Sequence, residues 1–150
     1  MRDRSLFVTM PAVSAGGLLF AAAKKNLTKR ELYMNNLEQF YASVGSDAAE
    51  VVGRLGGNAA LVMRFLAKFQ EDGSFRQLCA ALDGSDTETA FRAAHTLKGA
   101  SANLGLQTLF IKASEMTELL RGGAVDEAET ALPGLREEYD RVCSLIAELN

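Results

Sequence analysis

The only histidine of the chain, His95, stands in the run Ala94-His95-Thr96-Leu97-Lys98-Gly99-Ala100-Ser101-Ala102-Asn103-Leu104-Gly105, with a lysine three residues and a glycine four residues downstream. On a helix, positions i, i+3, i+4 and i+7 share a face, so His95, Lys98, Gly99 and Ala102 fall along one stripe. A neutral imidazole nitrogen is a competent nucleophile near neutral pH and can accept a phosphoryl group. An ammonium beside it stabilises the phosphoryl oxygens. Two unit charges ~4 Å apart attract by about 1 kcal/mol in water and about 4 kcal/mol at an effective dielectric near ~20. Glycine inside a helix costs about 1 kcal/mol relative to alanine, so its presence at position 99 asks for a reason. Without a side chain it leaves room for a phosphate and an incoming protein.

The helical register separates this stripe from the core. At about 100° per residue, Ala90, Ala94, Leu97, Ser101 and Leu104 cluster on one side, whereas Phe91, His95, Lys98 and Ala102 lie on another. A core histidine is therefore disfavoured. Phe91, one turn before His95, and Ala102, two turns after it, make an apolar strip on which a partner protein can dock. Ser101 belongs to the apolar side and suits close helix packing better than phosphate binding.

The elements that position this stripe read as helical nearly throughout, with no alternating strand pattern, so the expected class is all-α. Thr28-Lys29-Arg30-Glu31 has capping-box form and opens a helix near 29–43. Ser46-Asp47 caps a short helix that stops at Leu55-Gly56-Gly57, and Asn58 caps the next. Asp72-Gly73-Ser74 and Asp83-Gly84-Ser85-Asp86 are breaks. The His95 helix is expected from about Thr87 to Asn103, and Gly105 turns it into an antiparallel helix from about Leu106 to Leu120. After Gly122-Gly123 a last helical stretch begins at Val125, which Pro133 is expected to interrupt or kink. Short loops between such helices favour an antiparallel up-and-down four-helix bundle with additional N-terminal helices. Met63, Phe65, Phe69 and Phe75 read as core.

Composition sets the outer bounds. The 150 residues are 48% hydrophobic and 23% charged, which fits one globular domain with a continuous core. A net charge of −3 and a pI near 5.2, with no basic run interleaved with aromatics, argue against a nucleic-acid surface. Cys79 and Cys143 are far apart, lack CxxC spacing, and read as buried thiols rather than a disulfide or a metal site. One histidine is too few for a metal centre built across several helices. Carboxylates such as Asp47, Glu50, Glu71, Asp72, Glu127, Glu129, Glu137 and Glu138 read as solvated helix faces.

The segment His95-Thr96-Leu97-Lys98-Gly99, with Gly105 six residues beyond Gly99, resembles the signature of histidine-containing phosphotransfer (HPt) domains. Leu55-Gly56-Gly57-Asn58 leading into Phe65-Leu66-Ala67-Lys68-Phe69, and Leu109 through Leu120, resemble that family's flanking helices over roughly residues 30–149. The resemblance implies that His95 is the phosphoacceptor, and that the chain exchanges the group with the aspartate of a response-regulator receiver domain or with a hybrid histidine kinase. It implies in-line transfer, with Mg²⁺ on the receiver and no cofactor held by this chain. It also implies a polar residue on the following helix that bonds the imidazole nitrogen not phosphorylated. Counting along the chain brings Thr117 to that place, with Glu115 and Glu118 as near neighbours, and this departs from family members that carry glutamate or glutamine there.

An autokinase is disfavoured, because no P-loop is present and the Gly16-Gly17 and Gly122-Gly123 pairs are too isolated to cradle ATP. The chain is thus expected to be a freestanding phosphocarrier without its own ATP site. The competing class is a helical-bundle adaptor in which His95 is never phosphorylated, and acid-labile phosphate discriminates the two. Residues 1–27 read as an N-terminal apolar extension, and 28–150 as the HPt-like domain. The stretch from Leu6 to Ala23, followed by Lys24-Lys25, superficially resembles a signal peptide or short anchor. Pro11, Ser14, Gly16 and Gly17 interrupt it, and its length is at the lower edge of the ~17–25 residues needed to span a bilayer. Packing on the bundle or self-association is favoured, with no stable membrane insertion and a cytoplasmic location, where the family's receivers reside.

Overall fold

The computed structural model describes residues 26–149, in which seven helices follow one another: α1 (Lys29–Ser43), α2 (Ala48–Arg54), α3 (Ala59–Phe69), α4 (Ser74–Asp83), α5 (Thr87–Asn103), α6 (Gln107–Arg121) and α7 (Val125–Ala147). The described residues contain no strand. The readings of residues 1–25 lie outside the described residues. The chain divides into a unit ending at Tyr33 and a unit from Met34 to Asn150.

Local chemistry accounts for most helix starts. In the first unit, Thr28 and Glu31 form a reciprocal capping box: the Glu31 amide donates to Thr28 Oγ1 at 3.1 Å, and the Thr28 amide to Glu31 Oε2 at 3.3 Å. Asp47, Asn58 and Asp86 each accept an amide three residues on, from Glu50, Leu61 and Thr89, at 3.0, 3.1 and 3.1 Å. Each such cap stabilises a helix by about 1 kcal/mol.

In the second unit, α4 to α7 follow in order through connections of three residues, too short for anything but antiparallel neighbours. The tightest packing is of α5 on α6, α5 on α4, and α6 on α7. Tyr139 of α7 closes the bundle: its ring stacks on Phe75 of α4 at 4.5 Å and lies 6.0 Å from Phe69 of α3. Leu66, Leu78, Leu97, Leu109, Met116, Leu135 and Ile146 are fully buried between these helices. Removing one such side chain costs about 2–5 kcal/mol.

The turn after α5 is fastened from several sides. Gly105 has φ +70°, and the Leu106 amide donates back to the Ser101 carbonyl at 2.9 Å, a glycine-terminated C-cap. The buried Tyr41 hydroxyl donates to the Leu104 carbonyl at 2.7 Å, and Ser46 Oγ to the Gly105 carbonyl at 2.6 Å. Burial raises the Tyr41 phenol far above its ordinary value despite Arg54 nearby. Burial, with Cys143 beside it, pushes Tyr139 up to about 12. Both phenols fold best uncharged, so their contribution is complete below the ordinary value of 10.0 and is lost as pH rises through the raised folded values. Circular dichroism followed from pH ~9 to ~12.5 is therefore expected to show alkaline unfolding that Tyr139→Phe delays.

Four expectations are corrected. Phe65 is 38% exposed rather than core, and Met63 is only half-buried. Phe69 and Phe75 are buried. Pro133 does not interrupt the last helix: α7 runs unbroken through it. Proline removes the donor for the Glu129 carbonyl, but both residues are exposed, where that oxygen can hydrate. Cys79 and Cys143 are free thiols, half-buried rather than buried. Glu138 is not a freely solvated carboxylate: it accepts from Thr108 Oγ1 at 2.5 Å and from Arg141 Nη2 at 2.8 Å, while Arg141 also donates to the Ser43 carbonyl at 3.1 Å. This cluster links the end of α1 to α6 and α7.

Candidate functional site

Ala90, Ala93, Ala94, Leu97 and Ser101 turn one face of α5 into the core, and this fixes the rotation of the helix. The opposite face carries His95, which is exposed, Lys98 and Phe91, both half-buried, and Gly99 and Ala102, both exposed. The stripe read from the sequence thus lies together at the surface. Phe91 and His95, one turn apart, have ring centroids 6.0 Å apart and planes inclined by 21°. A Cβ added at Gly99 would meet nothing within 4 Å. The glycine is therefore not demanded by packing within this chain, and the space beside the imidazole is open.

Ser101 is fully buried and its hydroxyl donates to the Leu97 carbonyl at 2.8 Å, a packing role. Thr117 requires a correction. It is fully buried, and its hydroxyl donates to the Ala113 carbonyl of its own helix at 2.7 Å. Its proton is committed to the backbone, and the side chain turns toward the core with Ala113, Met116 and Leu120. The next residue, Glu118, is exposed and is the carboxylate that α6 presents to the His95 face. A hydrogen bond from Arg121 holds Glu118 below the usual carboxylate range, with Lys98 and His95 adding to the same effect.

Arg121 completes the cluster. Its Nε and Nη2 donate to Glu118 Oε1 and Oε2 at 3.1 and 3.3 Å, and its Cζ lies 5.1 Å from the centre of the Phe91 ring. Seven residues before Glu118, on the same side of α6, Ile111 is 56% exposed and adds to the apolar surface offered by Phe91 and Ala102. Sequence reasoning did not single out Arg121 or Ile111. The i, i+3 spacing of Glu118 and Arg121 was the available signal for the first.

A separate open groove of about 680 Å³ lies at the C-terminal end of α5, lined by Leu55, Phe65, Ala100 and Leu104 with Arg54 and Lys68 at its edge. His95 does not line it. No group of acidic, histidine or cysteine side chains among the described residues could hold a metal ion. None of the described helices is long and apolar enough to cross a membrane.

Among known proteins, no curated relative and no solved structure matches this chain. The family model described as Hpt domain matches residues 60–145, which include every residue of the His95 face. That match spans more than half of the chain and agrees with the all-helical bundle and its exposed histidine: the protein belongs to the Hpt domain family, phosphocarrier modules of histidine phosphotransfer in phosphorelays.

Proposed function

We propose that this protein carries a phosphoryl group on His95 to or from the aspartate of a response-regulator receiver domain, with a hybrid histidine kinase as a further partner, in the cytoplasm. The observation that carries this reading is the exposed imidazole on a face shared with Lys98 and an unobstructed Gly99, within the segment matched by the family.

In this reading each residue of the face has a role. His95 supplies the nucleophilic nitrogen. Lys98, one turn on, supplies positive charge for the phosphoryl oxygens. Gly99 leaves the approach open, and Phe91 and Ala102, joined by Ile111, offer apolar surface for docking. Glu118 takes the place first read for Thr117: a carboxylate on this face favours the ring in its cationic, phosphorylated form. The Mg²⁺ and the acceptor carboxylate belong to the receiver, so the chemistry is divided between two proteins.

The test incubates the purified protein with phosphorylated receiver domains and Mg²⁺, or with phosphoramidate as a small donor, and follows acid-labile, base-stable phosphate. Labelling of the wild type is expected. No labelling by phosphoramidate or by any of a panel of active receivers would sink the reading and bring the adaptor function forward.

A further inference from the structure

We propose that Arg121 is a positioning residue for phosphoryl transfer, which neutralises Glu118 so that this carboxylate can face His95 without repelling the phosphoryl group. The inference rests on the phosphotransfer reading above. Three contacts hold the guanidinium: two hydrogen bonds to the Glu118 oxygens, at 3.1 and 3.3 Å, and the Phe91 ring at 5.1 Å. The Phe91 ring in turn lies 6.0 Å from the imidazole. The four side chains form a continuous surface cluster across α5 and α6.

The charge balance of the reaction gives Arg121 its task. The lone pair of one ring nitrogen forms the P–N bond while the P–O bond of the receiver's aspartyl phosphate breaks and its electron pair returns to the aspartate carboxylate. The other ring nitrogen keeps its proton. The ring thereby gains positive charge, and the phosphoryl oxygens bring nearly two negative charges onto the same face. A bare Glu118 would favour the ring cation and oppose the phosphoryl oxygens. With Arg121 present, Lys98, Glu118 and Arg121 carry one net positive charge; without it they are neutral. The Arg121 and Glu118 side chains are 53% and 59% exposed, so solvent weakens their pairing, and the task of Arg121 is to cancel the Glu118 charge rather than to lock the carboxylate in place.

The experiment measures transfer from a phosphorylated receiver domain to the full chain over a range of receiver concentrations, with Mg²⁺, for wild type, Arg121→Ala, Arg121→Lys and the double variant Glu118→Gln/Arg121→Ala. Arg121→Ala is expected to lower the maximal rate about 10-fold with little change in the half-saturating receiver concentration. Arg121→Lys and the double variant should each return to within about 3-fold of wild type, because the first restores the positive charge and the second removes the negative one. Arg121→Ala as fast as wild type, a change confined to the half-saturating concentration, or a double variant as slow as the single one would each overturn the proposal. Those outcomes leave the wild type labelled and the phosphotransfer reading standing. A wild type that takes no label overturns both.

Discussion

His95→Gln is expected to take up no acid-labile phosphate from receivers or from phosphoramidate that label the wild type, a loss of at least about 1,000-fold that reaches the assay background. Glutamine keeps the size and polarity of the side chain but has no nucleophilic lone pair of comparable basicity. No other group can substitute, because His95 is the only histidine in the chain. The change should leave the fold intact. His95 is exposed and α5 is held by Ala90, Ala93, Ala94 and Leu97, so the circular dichroism spectrum and melting temperature should match wild type within the small effects usual for surface substitutions. Retained acid-labile phosphate in the variant would place the phosphoacceptor elsewhere.

Gly105→Ala carries the largest expected effect on stability. A Cβ there would lie 2.5 Å from Val51 Cγ2 and 3.3 Å from Tyr41 Cε1, and the backbone sits at φ +70°. Left-handed backbone costs a residue with a side chain about 1–2 kcal/mol, and overpacking against fixed neighbours about 1–3 kcal/mol more. Relief would have to displace Val51 or Tyr41, both fully buried, and Tyr41 also anchors the Leu104 carbonyl. A loss of about 2–5 kcal/mol corresponds to a melting temperature lower by roughly 10 °C or more. Thermal melts followed by circular dichroism check it. Gly99→Ala is the internal comparison: nothing surrounds its Cβ, and alanine is the better helix former, so this variant should melt no lower than wild type. The two glycines are thus expected to separate, because Gly105 holds a left-handed backbone against the buried Val51 and Tyr41, whereas Gly99 is helical and faces the open side of His95.

That contrast marks the boundary between what was legible in the sequence and what was not. Helix limits were legible because they depend on local chemistry: Asp47, Asn58 and Asp86 cap their own helices within three residues, and Gly105 ends α5 through its own backbone. The exposed stripe of His95, Lys98 and Gly99 was legible because a helix with a single apolar face has only one way to turn toward a core. Neither inference needs the position of any distant residue.

The partners of that stripe depend on tertiary packing. One residue along α6 is a rotation of about 100°, so counting could not decide between Thr117 and Glu118. The decision came from Ala113, Met116 and Leu120, which turn toward the core and take Thr117 with them, leaving Glu118 on the outer face. Phe65 was read as core from its type and spacing, but it lies at the edge of an open groove, since no neighbouring element covers it fully. Glu138 is drawn from solvent by Arg141, three residues along its own helix, and by Thr108 on another helix; only the first contact has a signal in local spacing. By itself the sequence determined the helices, their order and the face on which His95 lies, because these follow from contacts within a few residues; only the tertiary structure decided which carboxylate and which guanidinium of α6 share that face, because that depends on how two packed helices are rotated about their axes.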